Sequence, residues 1–236
     1  MINEIYIDNF RCLTNFRIKP GNFQLWLGNN GSGKTSVLDA LRCVKRLMNG
    51  ENVEDIFNKN SLTDWDKRRD QTIGFSLLID GEVYKYELTI EYAAQADKQR
   101  IKREELIWKD STFFLFDGQE AHLYRIHWNT GKIEKGAVFP ANWRRSAIPT
   151  IAQREDNAPL IRFREEIENI LLIHPVPLVV KDAATSESRN LSEHAENFAQ
   201  WYRHLLQEQP SIGYKAKRLL EDVLPGFEML SLRETQ

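Results

Sequence analysis

The chain has 236 residues, of which 42% are hydrophobic and 28% charged. These proportions are typical of a globular protein and exclude a disordered or collagen-like chain. Its 32 basic and 34 acidic residues leave a formal net charge of -2, so we expect no overall electrostatic attraction to nucleic acid or membrane. Two cysteines are too few for a disulfide framework. No signal peptide and no apolar membrane-spanning stretch is found, which predicts a cytoplasmic protein.

The first 50 residues alternate between strand patterns and turns before a helical period begins. Strands are predicted at residues 2–7, 16–18 and 23–27. From Thr35 onward, apolar residues at positions 37, 41, 44 and 48 are spaced four, three and four apart, which predicts a helix. Asn49-Gly50 then predicts the end of this helix.

The remaining chain divides by its pattern into a polar loop, a strand-rich lobe and a helical region. Three turn signals separate strand-like segments and predict antiparallel hairpins: Asp80-Gly81, Lys109-Asp110 and Asp117-Gly118. Apolar residues on one helical stripe predict a later helix: Leu160, Phe163, Ile167 and Ile170. We expect four segments: residues 1–50 with the N-terminal strands and first helix, the loop 51–71, the β-hairpin lobe 72–140, and the helical region 141–236.

The sequence GNNGSGKT at residues 28–35 fills every fixed position of the phosphate-binding loop pattern GxxxxGK[ST]. In such a loop, glycines let main-chain N–H groups surround phosphate oxygens at the positive end of a helix. The pattern predicts ATP binding, with Lys34 between the β- and γ-phosphates and the Thr35 hydroxyl on Mg²⁺. Further nucleotide contacts are expected from Asn29, Asn30, Gly31, Ser32, Gly33 and Ser36. The alternative is a chance match, which the predicted strand before and helix after the loop disfavour.

Two N-terminal segments together resemble a known class of ATPase. IYIDNFRCLTNFRI at residues 5–18 and WLGNNGSGKTSVLDAL at residues 26–41 are similar to the start of the ABC-type ATPase heads of the RecF, SMC and OLD families. ENFAQWYRHLLQEQP at residues 196–210, together with VLPGFEMLSL at residues 223–232, is similar to the pre-signature region of RecF-like AAA ATPases of prokaryotic defence systems, including Septu-type and retron-associated ones. The resemblance implies an α/β P-loop fold of ABC-ATPase type with an antiparallel β lobe and C-terminal helices.

The same resemblance implies a function and a set of site residues. It implies that binding of ATP with Mg²⁺ drives dimerisation of heads in DNA repair or antiviral defence. Arg11 matches the basic residue that approaches the nucleotide in these heads, with a solvated loop arginine as the alternative. Gln153 takes the position of a glutamine that meets Mg²⁺ and the attacking water, with an ordinary connector glutamine as the alternative. Lys34 and Gln153 are then the expected catalytic residues, and the implied partners are a second copy or a C-terminal ATPase half, a nuclease and DNA.

Two elements that such heads use for hydrolysis are not found in the sequence. No apolar strand ends in Asp-Glu, and NLSEHAEN at residues 190–197 lacks the glycines of an LSGGQ-like signature. LLIDGE at residues 77–82 and FLFDGQE at residues 114–120 imitate the Asp-Glu strand, but each Asp precedes the Gly of a predicted hairpin turn. We therefore expect the N-terminal half of a longer ATPase, which binds ATP and needs a C-terminal half to hydrolyse it.

Two other functions stay open on the sequence alone. One is a P-loop kinase, which would have an arginine-rich lid where this chain has predicted hairpins. The other is a non-catalytic nucleotide-sensing module that docks a nuclease. Basic clusters at residues 67–69 and 98–103 are candidates for DNA phosphate, but interleaved acidic residues favour a solvated surface. The histidines show no paired spacing typical of metal ligands: His122, His127, His174, His194 and His204.

Overall fold

A computed structural model describes residues 1–93, 98–181 and 183–231. Its strands are β1 Ile2–Asp8, β2 Phe16–Ile18, β3 Asp70–Ile79, β4 Glu82–Tyr92, β5 Gln99–Trp108, β6 Ser111–Phe116, β7 Glu120–Ile126 and β8 Ile133–Pro140. Its α-helices are α1 Lys34–Met48, α2 Val53–Ile56, α3 Ala158–Glu168, α4 Phe198–Glu208 and α5 Ile212–Glu221. The architecture is mixed α/β, as predicted, in two compact units that divide after Ile170. Among the described residues, no helix combines the length and apolarity needed to cross a membrane.

All eight strands form one antiparallel sheet, in the order β2-β1-β3-β4-β5-β6-β7-β8. β1 pairs on both sides, so that Ile5 lies opposite Ile18 of β2 and Phe75 of β3. From β3 onward each strand pairs with the next along the chain. The hairpins between residues 72 and 140 therefore extend the sheet that β1 and β2 begin.

Tight turns join the central strands because their residues adopt the left-handed backbone conformation. Asp80 and Gly81 have φ angles of 51° and 81° between β3 and β4, and Lys109 and Asp110 have 51° and 54° between β5 and β6. Two successive positive φ angles match the right-handed twist of the paired strands. The predicted hairpin turns at these positions are confirmed.

The core of the first unit lies between one face of the sheet and the helices α1 and α3. On β4, every second residue is buried: Tyr84, Tyr86, Leu88, Ile90 and Tyr92. Phe163 of α3 stacks on Tyr86, with 5.1 Å between ring centroids, and lies 6.3 Å from the ring of Phe75. The apolar stripe predicted for α1 is buried: Val37, Leu41, Val44 and Met48.

The prediction of a strand at residues 23–27 is wrong. This segment lies outside all eight strands, and the side chains of Phe23, Leu25 and Leu27 are 91%, 70% and 84% exposed. A strand needs a neighbour for its main-chain hydrogen bonds, and no described strand lies beside this segment in the sheet order. An apolar sequence pattern alone does not supply that neighbour.

A β-bulge interrupts the regular alternation of β5. Thr89 of β4 pairs with Arg103, whereas the next residue, Ile90, pairs with Ile101, so Lys102 is the extra residue on β5. An extra residue reverses which side chains point into the core along the rest of the strand. The bulge thereby turns the residue that follows Arg103 inward.

That residue, Glu104, is fully buried in the core of the first unit. Its Oε1 accepts hydrogen bonds from the hydroxyls of Tyr86 and Ser146, both at 2.8 Å. Its Oε2 has no hydrogen-bond partner among the described residues. Burial raises the pKa of Glu104 to about 7, because the charged carboxylate loses its hydration.

We predict that the free energy of unfolding decreases as the pH rises from about 4.5 to about 7. The folded protein retains the Glu104 proton up to a pH near 7, whereas the unfolded chain releases it near the ordinary value of 4.5. Glu104→Gln should flatten this decrease because the amide does not ionise. Glu87→Gln, at an exposed position of β4, is the control and should keep the slope of the parent. Urea denaturation at several pH values tests this, and equal slopes for the parent and Glu104→Gln would contradict it.

Candidate functional site

Residues 28–33 form a loop that ends at the first turn of α1, with residues 28–32 exposed and Gly33 buried. Gly31 and Gly33 have φ angles of 80° and 90°, which side chains other than glycine rarely tolerate. The Ser32 N–H donates to the Asn29 carbonyl at 3.2 Å, which closes the loop on itself. Because the first N–H groups of an α-helix lack intrahelical partners, the end of this loop offers main-chain donors and the positive end of the helix dipole.

The ammonium group of Lys34 folds back over this loop. Its Nζ donates to the carbonyls of Gly28 at 2.7 Å and Asn29 at 2.8 Å, and lies 3.2 Å from the hydroxyl of Ser32. The next residue, Thr35, is exposed. A cation, an exposed hydroxyl and main-chain donors therefore occur together at one helix terminus.

A second loop, residues 9–13, packs directly on the first. A Cβ atom added to Gly33 would lie 2.8 Å from Cδ2 of Leu13 and 3.1 Å from Sγ of Cys12. Only glycine leaves room for this approach. Ser36 is buried at the same contact, with its Oγ 3.7 Å from Sγ of Cys12. The Ser36 hydroxyl thus lies against the second loop.

Asn9 anchors the second loop from within the core. Its side chain is fully buried, and its Nδ2 donates to the carbonyls of Arg68 at 3.0 Å and Asp70 at 2.9 Å. Its Oδ1 accepts from the Thr63 N–H at 3.2 Å. Asn9 also has a φ of 57°, which asparagine adopts more readily than most residues. These bonds set the course of residues 9–13.

Arg11 extends from the anchored loop to α1. Its N–H donates to the Ser61 carbonyl at 2.7 Å, and its guanidinium forms an ion pair with Asp39, which also pairs with Arg42. Asp39 follows Thr35 by four residues, so the two lie on one face of α1 about one turn apart. The half-exposed side chain of Arg11 is therefore held one helical turn from the end of the glycine-rich loop.

The glycine-rich loop and the helix that follows it agree with a comparison of the whole chain against protein families. Residues 1–211 match the AAA ATPase domain. The chain belongs to the AAA ATPase domain family. A comparison with curated proteins finds no match. Binding and hydrolysis of ATP at a P-loop, with Mg²⁺, are typical of this family.

Gln153 lies apart from the glycine-rich loop in its contacts. In this AAA ATPase domain it is exposed, in the loop between two short 3-10 turns at residues 148–150 and 155–157. In the part of the chain that the structure describes, no hydrogen bond joins its side chain to residues 28–36. Its role as a ligand of Mg²⁺ stays a prediction.

The two segments that imitate an Asp-Glu strand use their carboxylates in turns of the AAA ATPase domain. Asp80 binds Arg162 at 2.8 Å. Asp117 accepts hydrogen bonds from the N–H groups of Gln119 and Glu120, both at 3.0 Å. The bond from the Glu120 N–H is the main cause that lowers the pKa of Asp117. Both Asp residues lie in hairpin turns, as the glycine after each predicts. The Asp117 carboxylate bonds the main chain of its own turn, whereas the Asp80 carboxylate pairs its turn with α3.

Several side chains of the basic clusters considered for DNA are paired with carboxylates. Three of their side chains form ion pairs at 2.5 to 2.6 Å: Arg68 with Asp8 and Asp66, Arg100 with Glu91, and Lys102 with Asp70. A DNA phosphate would have to displace these partners. The pairing supports the interpretation as a solvated surface.

Asp39 is absent from the predicted site residues. Its position four residues after Thr35 on a predicted helix is the signal that could have placed it beside the loop. Its pairing with Arg11 depends on the distant loop of residues 9–13, which no local pattern reports.

We predict that Gly33→Ala lowers the free energy of unfolding by more than Gly50→Ala. Both glycines have a positive φ, 90° and 87°, and a left-handed conformation costs an L residue roughly 1–2 kcal/mol. Only at Gly33 would the new methyl group meet Leu13 and Cys12, whereas nothing lies within 4 Å of a Cβ at Gly50. Urea denaturation measures the difference. Equal losses in the two variants would contradict the close packing of residues 9–13 on the glycine-rich loop.

Proposed function

We propose that this chain is the ATP-binding part of an ABC-type ATPase head related to the RecF, SMC and OLD families, in which ATP binding drives association of heads in DNA repair or antiviral defence. The observation that carries the proposal is the contact, at the start of α1, between the glycine-rich loop and the loop of residues 9–13. Lys34 Nζ lies over the loop carbonyls, and the loop that bears Arg11 packs on Gly33. The two segments that resemble these heads are thus in direct contact.

The residues of the glycine-rich loop and of the first turn of α1 fit a nucleoside triphosphate with Mg²⁺. Lys34 Nζ already faces oxygen acceptors, which phosphate oxygens can replace with the advantage of a full negative charge. The exposed Thr35 hydroxyl is available to Mg²⁺, and the first-turn N–H groups are available to phosphate. When bound, ATP supplies the γ-phosphoryl group and Mg²⁺ neutralises its charge. The proposed additional contacts come from Asn29, Asn30, Gly31, Ser32, Gly33 and Ser36.

Hydrolysis in this proposal depends on sequence outside residues 1–236. Orienting the attacking water needs a carboxylate, and the Asp-Gly segments of this chain lie in hairpin turns. The apolar segment 23–27, immediately before the glycine-rich loop, is exposed. An unpaired apolar segment of this kind favours pairing with a further strand. We propose that a strand that ends in the missing Asp-Glu pair lies beside residues 23–27, and that it comes from the same polypeptide or from a partner half.

A non-catalytic nucleotide-sensing module that docks a nuclease is the second candidate function. It is favoured because the Asp80 carboxylate already pairs with Arg162, and the Asp117 carboxylate already accepts bonds from the main chain of its turn. Both candidates require nucleotide binding at Lys34. They differ in turnover once a C-terminal half or a partner is supplied.

We predict that Lys34→Ala weakens ATP binding by at least about tenfold, because a charge-assisted contact contributes roughly 1.5–3 kcal/mol. Titration calorimetry with ATP and Mg²⁺ is the measurement. Lys19→Ala is the control, since Lys19 is an exposed lysine whose only described ion pair is with Glu4. Equal ATP affinity in the parent and Lys34→Ala would defeat the proposal.

Arg11→Ala should lower nucleotide affinity and leave the melting temperature nearly unchanged. The Arg11 side chain is half-exposed, and the buried carboxylate of Asp39 keeps its ion pair with Arg42 when Arg11 is removed, so we expect only a small loss of stability. Arg17→Ala is the matched control, because Arg17 forms a comparable exposed pair with Glu4 on the sheet. Calorimetry and thermal melting of both variants separate the two roles. A lower melting temperature with unchanged affinity would make Arg11 purely structural.

A further inference from the structure

Two distant segments of the second unit are held side by side by their main chains. The His174 N–H donates to the Glu193 carbonyl at 2.8 Å, and the Val176 N–H donates to the His194 carbonyl at 3.2 Å. The imidazole rings of His174 and His194 consequently lie edge to face, with 5.9 Å between their centroids. Twenty positions separate these histidines, so no short spacing in the sequence reveals the pair.

The side chain of Glu193 completes a three-residue cluster. Ligand atoms of His174, Glu193 and His194 all lie within 4.8 Å of one another. Two imidazoles and one carboxylate form a donor set that binds Zn²⁺ and related transition-metal ions. Tetrahedral bonds of about 2.1 Å require ligand atoms about 3.4 Å apart, so a side-chain movement of roughly 1 Å closes the set.

The ring of His194 is oriented by a hydrogen bond of the kind that accompanies metal ligation. Its Nδ1 lies 3.1 Å from the His174 carbonyl oxygen. A carbonyl oxygen only accepts, so Nδ1 is the donor in this bond, and Nε2 is the ring nitrogen that a metal ion would take. Metal-bound histidines commonly donate their second ring nitrogen to a main-chain carbonyl in this way.

The turn that carries Glu193 and His194 is itself braced. The N–H and the hydroxyl of Ser192 both donate to Oδ1 of Asn197 at 2.8 Å. These two bonds fix the course of the turn at residues 192–197 and hold Glu193 and His194 opposite residues 174–176.

We propose that His174, Glu193 and His194 bind a zinc-type divalent metal ion, with water in the fourth position. The ion would tie the segment at residues 174–176 to the turn at residues 192–197 and close the polar connector between them. It differs from the Mg²⁺ of the nucleotide, because Mg²⁺ requires near-octahedral oxygen ligands. The ligands also come from the second unit, whereas the glycine-rich loop belongs to the first.

Titration calorimetry of the untagged chain with zinc chloride, in excess Mg²⁺, tests the site. We expect one zinc ion per chain, with His174→Ala, His194→Ala and Glu193→Gln each weakening the affinity by about tenfold or more. His204→Ala is the control, since this histidine of the same unit lies near Glu187 and outside the cluster. Cobalt substitution should add the visible absorption of a four-coordinate ion, which the three ligand variants lose.

Two results would overturn the site. One is absence of zinc binding by the parent chain at micromolar metal, and the other is equal affinity in the parent and in His174→Ala combined with His194→Ala. Glu193→Gln guards against a folding artefact, because it leaves the main-chain bonds of residues 174 and 193 in place. The readout contains no nucleotide, so it is independent of the proposed ATPase function.

Discussion

The contact between Gly33 and the loop of residues 9–13 determines how the N-terminal region is arranged. A φ of 90° at Gly33 directs the chain into α1, and the absence of a side chain lets Leu13 and Cys12 approach. The buried bonds of Asn9 fix the other side of this contact. β1 and β2 flank the loop and belong to the eight-stranded sheet. The large antiparallel sheet therefore acts as the support from which Arg11 reaches the helix of the glycine-rich loop.

Local features of the fold follow from the sequence because their causes are local. The one-sided apolar spacing of α1 and the left-handed residues of the Asp80-Gly81 turn each depend on a few adjacent positions. The strand expected at residues 23–27 is wrong because pairing depends on a neighbour elsewhere. The place of β1 between β2 and β3, and the bulge at Lys102 that buries Glu104, also arise from pairing between distant segments.

The candidate site likewise combines features that one short segment determines with features that join distant segments. The glycine-rich loop with Lys34 and Thr35 is predictable, since one short segment contains every group that the chemistry needs. The ion pair of Arg11 with Asp39 and the pair of His174 with His194 are not, because each joins segments 20 or more positions apart. Spacing rules cover ligands on one helix or one turn. They do not cover ligands that only the tertiary structure brings together.

We propose that residues 1–236 bind ATP and do not by themselves hydrolyse it. Steady-state ATP turnover by the purified chain, at ATP concentrations that saturate binding, tests this most directly. We predict negligible turnover, which rises when a C-terminal half that carries the Asp-Glu strand and signature is added. Steady turnover by the chain alone, abolished by Lys34→Ala, would contradict the account. Substitution of Asp80, Glu82, Asp117 and Glu120 one at a time would then identify the carboxylate that orients the attacking water.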